Sequence, residues 1–332
     1  VAGRFVPRTT AVPRQNPAAA EECAPARTRS WTPPGPLDLR LVLSPLRRGP
    51  ADPAYRALPD GTFWRATRTP AGPGTLRVSA SGDGVIHAAA WGPGAQWLLD
   101  GLPALLGADD TPDAFRPRHR LVALTQRSRP GLRLLRTGLV MESLIPSVLE
   151  QKVTTDEAYR AWRLLLRTYG TPAPGPAGQA FAAYGLYVMP DARTWSLIPS
   201  WEWHRAGVDA KRSATILRAV RVARRMEEAA AMELPEAMAR LQLIPGIGPW
   251  TAAETLQRSN GAADAVTVGD LHLPGIVGHV LGGNRDADDE EMLALLAPYE
   301  GQRHRATRLI MLSGQLPARR APRMTPRDIA RL

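Results

Sequence analysis

The chain has 332 residues, 44% of them apolar, enough for about two domains at ~150 residues each around a buried core. No run approaches the ~18 uninterrupted apolar residues of a membrane span, and the opening VAGRFVPRTT lacks the apolar stretch of a secretory signal, so an integral membrane protein is excluded and export is not expected. The single cysteine, Cys23, rules out an internal disulfide, a four-cysteine zinc site and a cysteine-ligated iron–sulfur cluster, and fits a reducing, cytoplasmic home. Forty-two Lys+Arg against 31 Asp+Glu give a net charge of +11, and only Lys152 and Lys211 are lysines. Nucleic acid is the first partner to test. An arginine bias with abundant Ala, Gly and Pro also arises simply from a GC-rich genome.

Residues 1–34 carry Pro, Ala, Arg and Thr without apolar periodicity and are expected to form a disordered basic arm. Residues 35–118 predict a small antiparallel-sheet α/β domain. Alternation at Leu37, Leu39, Leu41 and Leu43 and at Leu76, Val78 and Ala80 predicts strands. The turn Ser81-Gly82-Asp83-Gly84 joins the second to Val85–Ala88 as a hairpin, and a helix over 96–106 backs the sheet. From 119 to 314 the pattern is helical. Thr154-Thr155-Asp156-Glu157 offers a capping box before Tyr159, Trp162, Leu165, Leu166 and Tyr169. After a Pro/Gly loop, 211–226 repeats the amphipathic pattern with an arginine-rich outer face. Trp195, Trp201 and Trp203 read as core more readily than as a base-stacking platform. Residues 315–332 are expected to form a second disordered basic tail, where Arg319, Arg320 and Arg323 could touch a phosphate backbone.

The informative stretch lies further on, where a helix through Ala237–Leu243 breaks at Ile244-Pro245-Gly246-Ile247-Gly248-Pro249 and another starts at Trp250. Gly246 and Gly248 permit a tight hairpin whose free backbone N–H groups sit at the positive end of the new helix. Such a site grips a phosphate without reading sequence. A Gly-x-Gly alone is weak evidence, and the missing third glycine and absent Lys-Ser/Thr pair argue against a nucleotide cradle.

Leu243–Ala252 followed by Val266-Thr267-Val268-Gly269-Asp270-Leu271 resembles the helix-hairpin-helix superfamily of DNA glycosylases. Leu144–Val153 is similar to that family's early helix, and Ala297-Pro298-Tyr299 with Arg303 and Arg305 to its late one. Phe63-Trp64-Arg65 and the following hairpin resemble the small sheet domain of the alkylated-base, 3-methyladenine type II branch. The likeness spans roughly residues 37–314. It implies a mainly α fold with a small α+β N-terminal domain, in which two helical lobes flank a base-binding cleft.

The resemblance makes Asp270 the catalytic aspartate. Cleaving an N-glycosidic bond builds positive charge on the deoxyribose, and a fixed carboxylate stabilises it and orients the attacking water. Asp270 equally suits an N-cap for a helix running on through Leu271 and Leu273. Trp250 stands where bifunctional relatives place a Schiff-base lysine, which implies a monofunctional, water-using enzyme. With Tyr299, Trp250 would sandwich a flipped, cationic alkylated purine by cation–π attraction, with core filling as its other reading. Glu254, one turn on, would read a base edge, pair with an arginine or face water. Gly246, Ile247, Gly248 and Thr251 would hold DNA, with Gln151 entering the base stack and Lys152 meeting a phosphate.

His272 and His279 lack a third ligand and are not read as a metal site. The acidic run Asp286-Asp288-Asp289-Glu290-Glu291 is expected to start and solvate a helix. No cofactor is required, although the resemblance admits a structural monovalent cation, Na+ or K+, at the hairpin. The expected partner is double-stranded DNA containing damaged bases, met by a monomer without an obligate protein partner or membrane, in the cytoplasm of a bacterium at its nucleoid. The leading function is excision of a 3-methyladenine-like base to leave an abasic site. The alternatives are a non-catalytic helix-hairpin-helix lesion-binding protein and a glycosylase for another damaged base.

Overall fold

The computed structural model describes residues 26–178 and 185–317. Its N-terminal unit is a five-stranded antiparallel sheet in the order β1-β5-β4-β3-β2, from β1 (Arg27–Trp31), β2 (Tyr55–Ala57), β3 (Phe63–Thr69), β4 (Gly72–Ala80) and β5 (Ile86–Trp91). The expected hairpin joins β4 to β5, closed by Ser81 N donating to Val85 O at 2.9 Å with Gly84 at φ +83°. Two expectations for this unit need correcting. Arg27–Trp31 lies inside the segment expected to be a disordered arm, yet it pairs residue for residue with Ile86–Ala90, and Arg29 Nη1 donates to Leu99 O at 2.6 Å. The edge of β5 supplies partners that composition cannot reveal.

The predicted strand over 37–43 is a short helix, α1 (Leu39–Leu43). Asp38 Oδ1 accepts from Arg40 N and Leu41 N at 2.9 and 3.0 Å, which caps the helix, and Leu39, Val42 and Leu43 face the core. The cap overrides the alternation of leucines. The helix expected over 96–106 divides at Gly101 into α2 (Ala95–Asp100) and α3 (Leu102–Leu105). These three helices cover one face of the sheet. Trp64 stacks on Trp91 at 5.4 Å on the other, over Leu186 and Val188.

The remaining described elements are α4 (Arg120–Ser128), α5 (Val140–Leu149), α6 (Thr155–Tyr169), the strand pair β6 (Thr171–Pro172) and β7 (Tyr187–Val188), α7 (Ala192–Leu197), α8 (Ser200–Arg205), α9 (Ala210–Arg221), α10 (Ala223–Glu227), α11 (Leu234–Gln242), α12 (Pro249–Ser259), α13 (Leu273–Val277), α14 (Asp289–Leu296) and α15 (Arg303–Leu312). They form two lobes with separate cores. In the first, α5 is almost wholly buried against α9 and α12. Its free N-terminal donors are met at long range, Glu227 accepting from Val140 N at 2.7 Å and Met141 N at 2.9 Å. The capping box of α6 forms, with Thr154 and Glu157 exchanging hydrogen bonds. Trp195 and Trp203 stack at 5.7 Å inside this core, while Trp201 is exposed. The second lobe packs α4, α13, α14 and α15 around Val122, Val277, Leu296 and Ile310.

This is the mainly α architecture with a small α+β unit that the resemblance implies. Residues 1–25 of the expected arm and 318–332 of the expected tail, with Arg319, Arg320 and Arg323, lie outside the described residues. No helix among the described residues is long and apolar enough to cross a membrane.

A polar seam joins the sheet unit to the first lobe. Asp52, 2% exposed, accepts from Arg48 N at 2.6 Å, Ala54 N at 2.9 Å and Trp162 Nε1 at 3.0 Å. Arg48 pairs with Glu150 at 2.7 Å and Arg65 with Glu142 at 2.5 Å. Truncation at Asp52 strands three buried donors at once. Asp52→Ala is therefore expected to cost about 3 kcal/mol or more, read as a lower urea midpoint at unchanged m-value.

Candidate functional site

The hairpin forms as read, with Ile247 N donating to Ile244 O at 2.9 Å and Gly246 at φ +100°. A Cβ on Gly246 would collide with the Thr215 side chain of α9, so both the conformation and the space demand glycine. Gln151, just beyond α5, braces the turn: its Nε2 donates to Gly246 O at 2.9 Å and Thr251 Oγ1 at 2.8 Å. The structure thus brings Gln151, Gly246 and Thr251 together, but the Gln151 amide is occupied there rather than free to enter a base stack. Lys152 follows, exposed, at φ +53°, a conformation that β-carbon sterics make costly. Arg218 donates to Pro245 O at 3.1 Å, and Arg221, Arg224 and Arg225 are exposed along the adjoining helices. Arg218, on the arginine-rich face expected for 211–226, thus reaches the hairpin. The turn carbonyls of Ile244, Pro245 and Gly246 accept hydrogen bonds from Ile247 N, Arg218 and Gln151.

Helix α12 starts at the hairpin and carries Trp250, Glu254, Gln257 and Arg258 at i, i+4 and i+7/i+8 spacing, on one face. That face meets the loop holding Asp270. Trp250 Nε1 donates to Asp270 Oδ2 at 2.9 Å, while Asp270 Oδ1 accepts from His272 N at 2.8 Å and Leu273 N at 2.9 Å. One carboxylate oxygen meets the N–H groups at the start of α13, and the other accepts from the hairpin helix. Gly269, at φ +86°, donates its N–H to the Asp289 carboxylate at 2.9 and 3.1 Å. Asp289, read only as part of a solvating acidic run, anchors the Asp270 loop, and nothing in the local sequence signals this contact.

Asp270 opens onto a cavity of about 330 Å³ at the junction of all three units. Val42 and Pro45 come from the sheet unit, Arg133, Leu134 and Leu135 from the segment before α5, and Glu254, Gln257 and Arg258 from α12. Thr267 and His272 flank Asp270, while α13 adds Leu273 and Ile276. The opposite wall is a stripe of α15: His304, Thr307, Arg308 and Met311. Such a volume suits one base rather than a longer ligand.

The expected base sandwich does not assemble. Trp250 stands outside the lining, its N–H used by Asp270. Tyr299 is 2% exposed, stacked on Phe115 at 5.5 Å, and its hydroxyl accepts from Arg118 N and His119 N in the second core. The hydroxyl needs buried donors, and the segment before α4 supplies them, which draws the ring away from the cavity. Glu254 does line the cavity and pairs with Arg258 at 2.7 Å, while Arg258 Nε donates to Pro45 O at 2.9 Å. Arg303 and Arg305 form ion pairs with Asp264 and Asp110.

Sequence reasoning missed His304 and Arg308. Burial, reinforced by Arg308, Arg258 and Arg305, pushes the His304 imidazole well below its usual 6.5. Burial and the neighbouring Arg258 lower Arg308 to about 10 against the opposing Glu254. His304 is thus neutral at pH 7. Because the fold depresses this pKa, its contribution to stability is complete above about pH 6.5 and is lost as pH falls below it. Wild-type stability should fall by up to about 1.4 kcal/mol per pH unit below 6.5 relative to His304→Gln, measured as the difference between their urea midpoints from pH 7 to 5.

Solved structures with this fold are DNA glycosylases. The 3-methyladenine DNA glycosylase from Archaeoglobus fulgidus aligns with a TM-score of 0.69 at 14% identity, covering 86% of this chain and 98% of that one. MBOgg1, in complex with a low-affinity DNA ligand, gives 0.67 at 13%, covering 88% and 98%. The 8-oxoguanine glycosylase/lyase of Clostridium acetobutylicum, in complex with double-stranded DNA, gives 0.62 at 12%, covering 84% and 91%. No protein-family model and no curated protein matches the sequence. At these identities the likeness is one of architecture: the chain has the helix-hairpin-helix DNA glycosylase fold.

Proposed function

We propose that this protein is a monofunctional DNA glycosylase of base excision repair. It would grip duplex DNA at the hairpin, take a damaged base into the cavity beside Asp270 and hydrolyse its N-glycosidic bond to leave an abasic site. The observation that carries this reading is the Asp270 carboxylate, fixed by three N–H donors, one of them from the hairpin helix, at the edge of a base-sized cavity.

In the reaction, the C1′–N bond breaks with its electron pair leaving on the base, and the deoxyribose gains positive charge. Asp270 stabilises that charge and orients a water whose oxygen bonds to C1′. The proton lost by the water passes to the carboxylate and on to the departing base or solvent. A lyase step needs an amine at C1′. No lysine lines the cavity, since Lys152 and Lys211 are exposed elsewhere.

The exposed arginines beside the hairpin, with Lys152, suit contact with phosphates. A 3-methyladenine-like substrate is a second reading, suggested by the name of the Archaeoglobus neighbour.

Asp270→Asn keeps the size and capping ability of the side chain. It is expected to slow single-turnover base release roughly a hundredfold or more with lesion-duplex affinity retained. Wild type should leave an intact abasic strand, and borohydride should trap no covalent adduct. A trapped adduct, or full-rate release by Asp270→Asn, would overturn the mechanism.

A further inference from the structure

The electrostatics of the cavity carry a statement about its substrate that rests on the glycosylase reading. Glu254 and Arg258 neutralise each other across 2.7 Å. Arg308, half-buried, donates Nη2 to Leu41 O at 3.1 Å and meets no carboxylate in an ion pair among the described residues. It stands one turn from His304, which is 8% exposed and whose ring has no hydrogen-bond partner among the described residues. The α15 wall therefore offers a guanidinium without an ion-pair partner among the described residues and a neutral imidazole, while the aromatic faces that would favour a cation, Trp250 and Tyr299, lie outside the lining. The charged side chains of the lining, Arg133, Arg258 and Arg308 against Glu254 and Asp270, leave positive charge in excess, which disfavours a positively charged base. A base edge bearing carbonyl oxygens would find donors left without acceptors.

From this geometry we infer that the cavity takes an uncharged damaged base presenting carbonyl oxygens, with Arg308 and His304 as the residues that read it. The same pair bears on the rate. When the C1′–N bond of a neutral base breaks, the base departs with the electron pair, and negative charge spreads onto its carbonyl oxygens. Donors aimed there stabilise that charge as it develops. A cationic alkylated base leaves neutral and gains nothing from them. The proton that finally neutralises the departing base is the one released by the attacking water.

Single-turnover release from otherwise identical duplexes holding 8-oxoguanine, hypoxanthine or cationic 3-methyladenine, which has no carbonyl, tests this. Wild type is expected to release at least one of the two carbonyl-bearing bases about tenfold or more faster than 3-methyladenine. Arg308→Leu should erase that preference, chiefly through the rate, and Arg308→Lys should restore part of it. Faster release of 3-methyladenine, or a preference that survives Arg308→Leu, overturns the inference. The wild-type ranking needs no variant, so a folding defect in Arg308→Leu leaves the test standing. If no duplex loses a base, the glycosylase reading fails instead. The ranking of wild-type affinities for the same duplexes then decides the inference: tighter binding of the carbonyl-bearing bases supports it, and equal or reversed affinities overturn it.

Discussion

The hydrogen bond from Trp250 Nε1 to Asp270 Oδ2 is the contact on which the site depends. It ties the first turn of α12, which emerges from the hairpin, to the loop that leads into the second lobe. A carboxylate that caps a short helix would otherwise be free to turn about its side chain. With donors on both oxygens its direction is fixed. On the proposed reading, gripping a strand at the hairpin and presenting a charge to the sugar would both follow from one local arrangement, held from behind by Gln151 on one side and Asp289 on the other.

The cavity arises because three cores meet without merging. The sheet unit supplies α1, the first lobe α12 and the second lobe α13 and α15. Arg258 joins two of these units, holding Glu254 and the Pro45 carbonyl together. Against its own burial, the Glu254 and Glu150 carboxylates make its guanidinium hold its proton more tightly than usual. For Arg308 burial and Arg258 outweigh the pull of Glu254, and its guanidinium is held down to about 10. Two arginines in one cavity thus differ in role. One is structural and neutralised, and the other keeps hydrogen-bonding capacity facing the space where a base would sit.

Legibility in the sequence followed the range of the interaction. The hairpin, the capping box of α6, the β4–β5 turn and the helix opened by the acidic run are set by residues within a few positions of one another, and all are present in the structure. The strand at Arg27–Trp31 owes its existence to an edge more than fifty residues away, and α1 to a single aspartate that outweighs leucine alternation. At the site, the hairpin and the capping capacity of Asp270 could be read from the local sequence. Its link to Trp250 could not, because a tryptophan beside a hairpin looks the same whether its ring stacks or its N–H donates. Tyr299 was misleading for a similar reason: the donors that claim its hydroxyl lie about 180 residues away. His304 and Arg308 have no motif at all, and only burial beside Arg258 gives them their character.

The most direct measurement is a double-mutant cycle on base release with wild type, Trp250→Phe, Asp270→Asn and the double variant, each assayed under single-turnover conditions with the lesion wild type releases fastest. If Trp250 acts by aiming Asp270, Trp250→Phe alone should slow release about tenfold or more, and the same change should cost nothing further once Asp270 is asparagine. Losses that simply add would mean that Trp250 acts on the base independently. An unimpaired Trp250→Phe would mean that the hydrogen bond on which the site is built has no part in the chemistry.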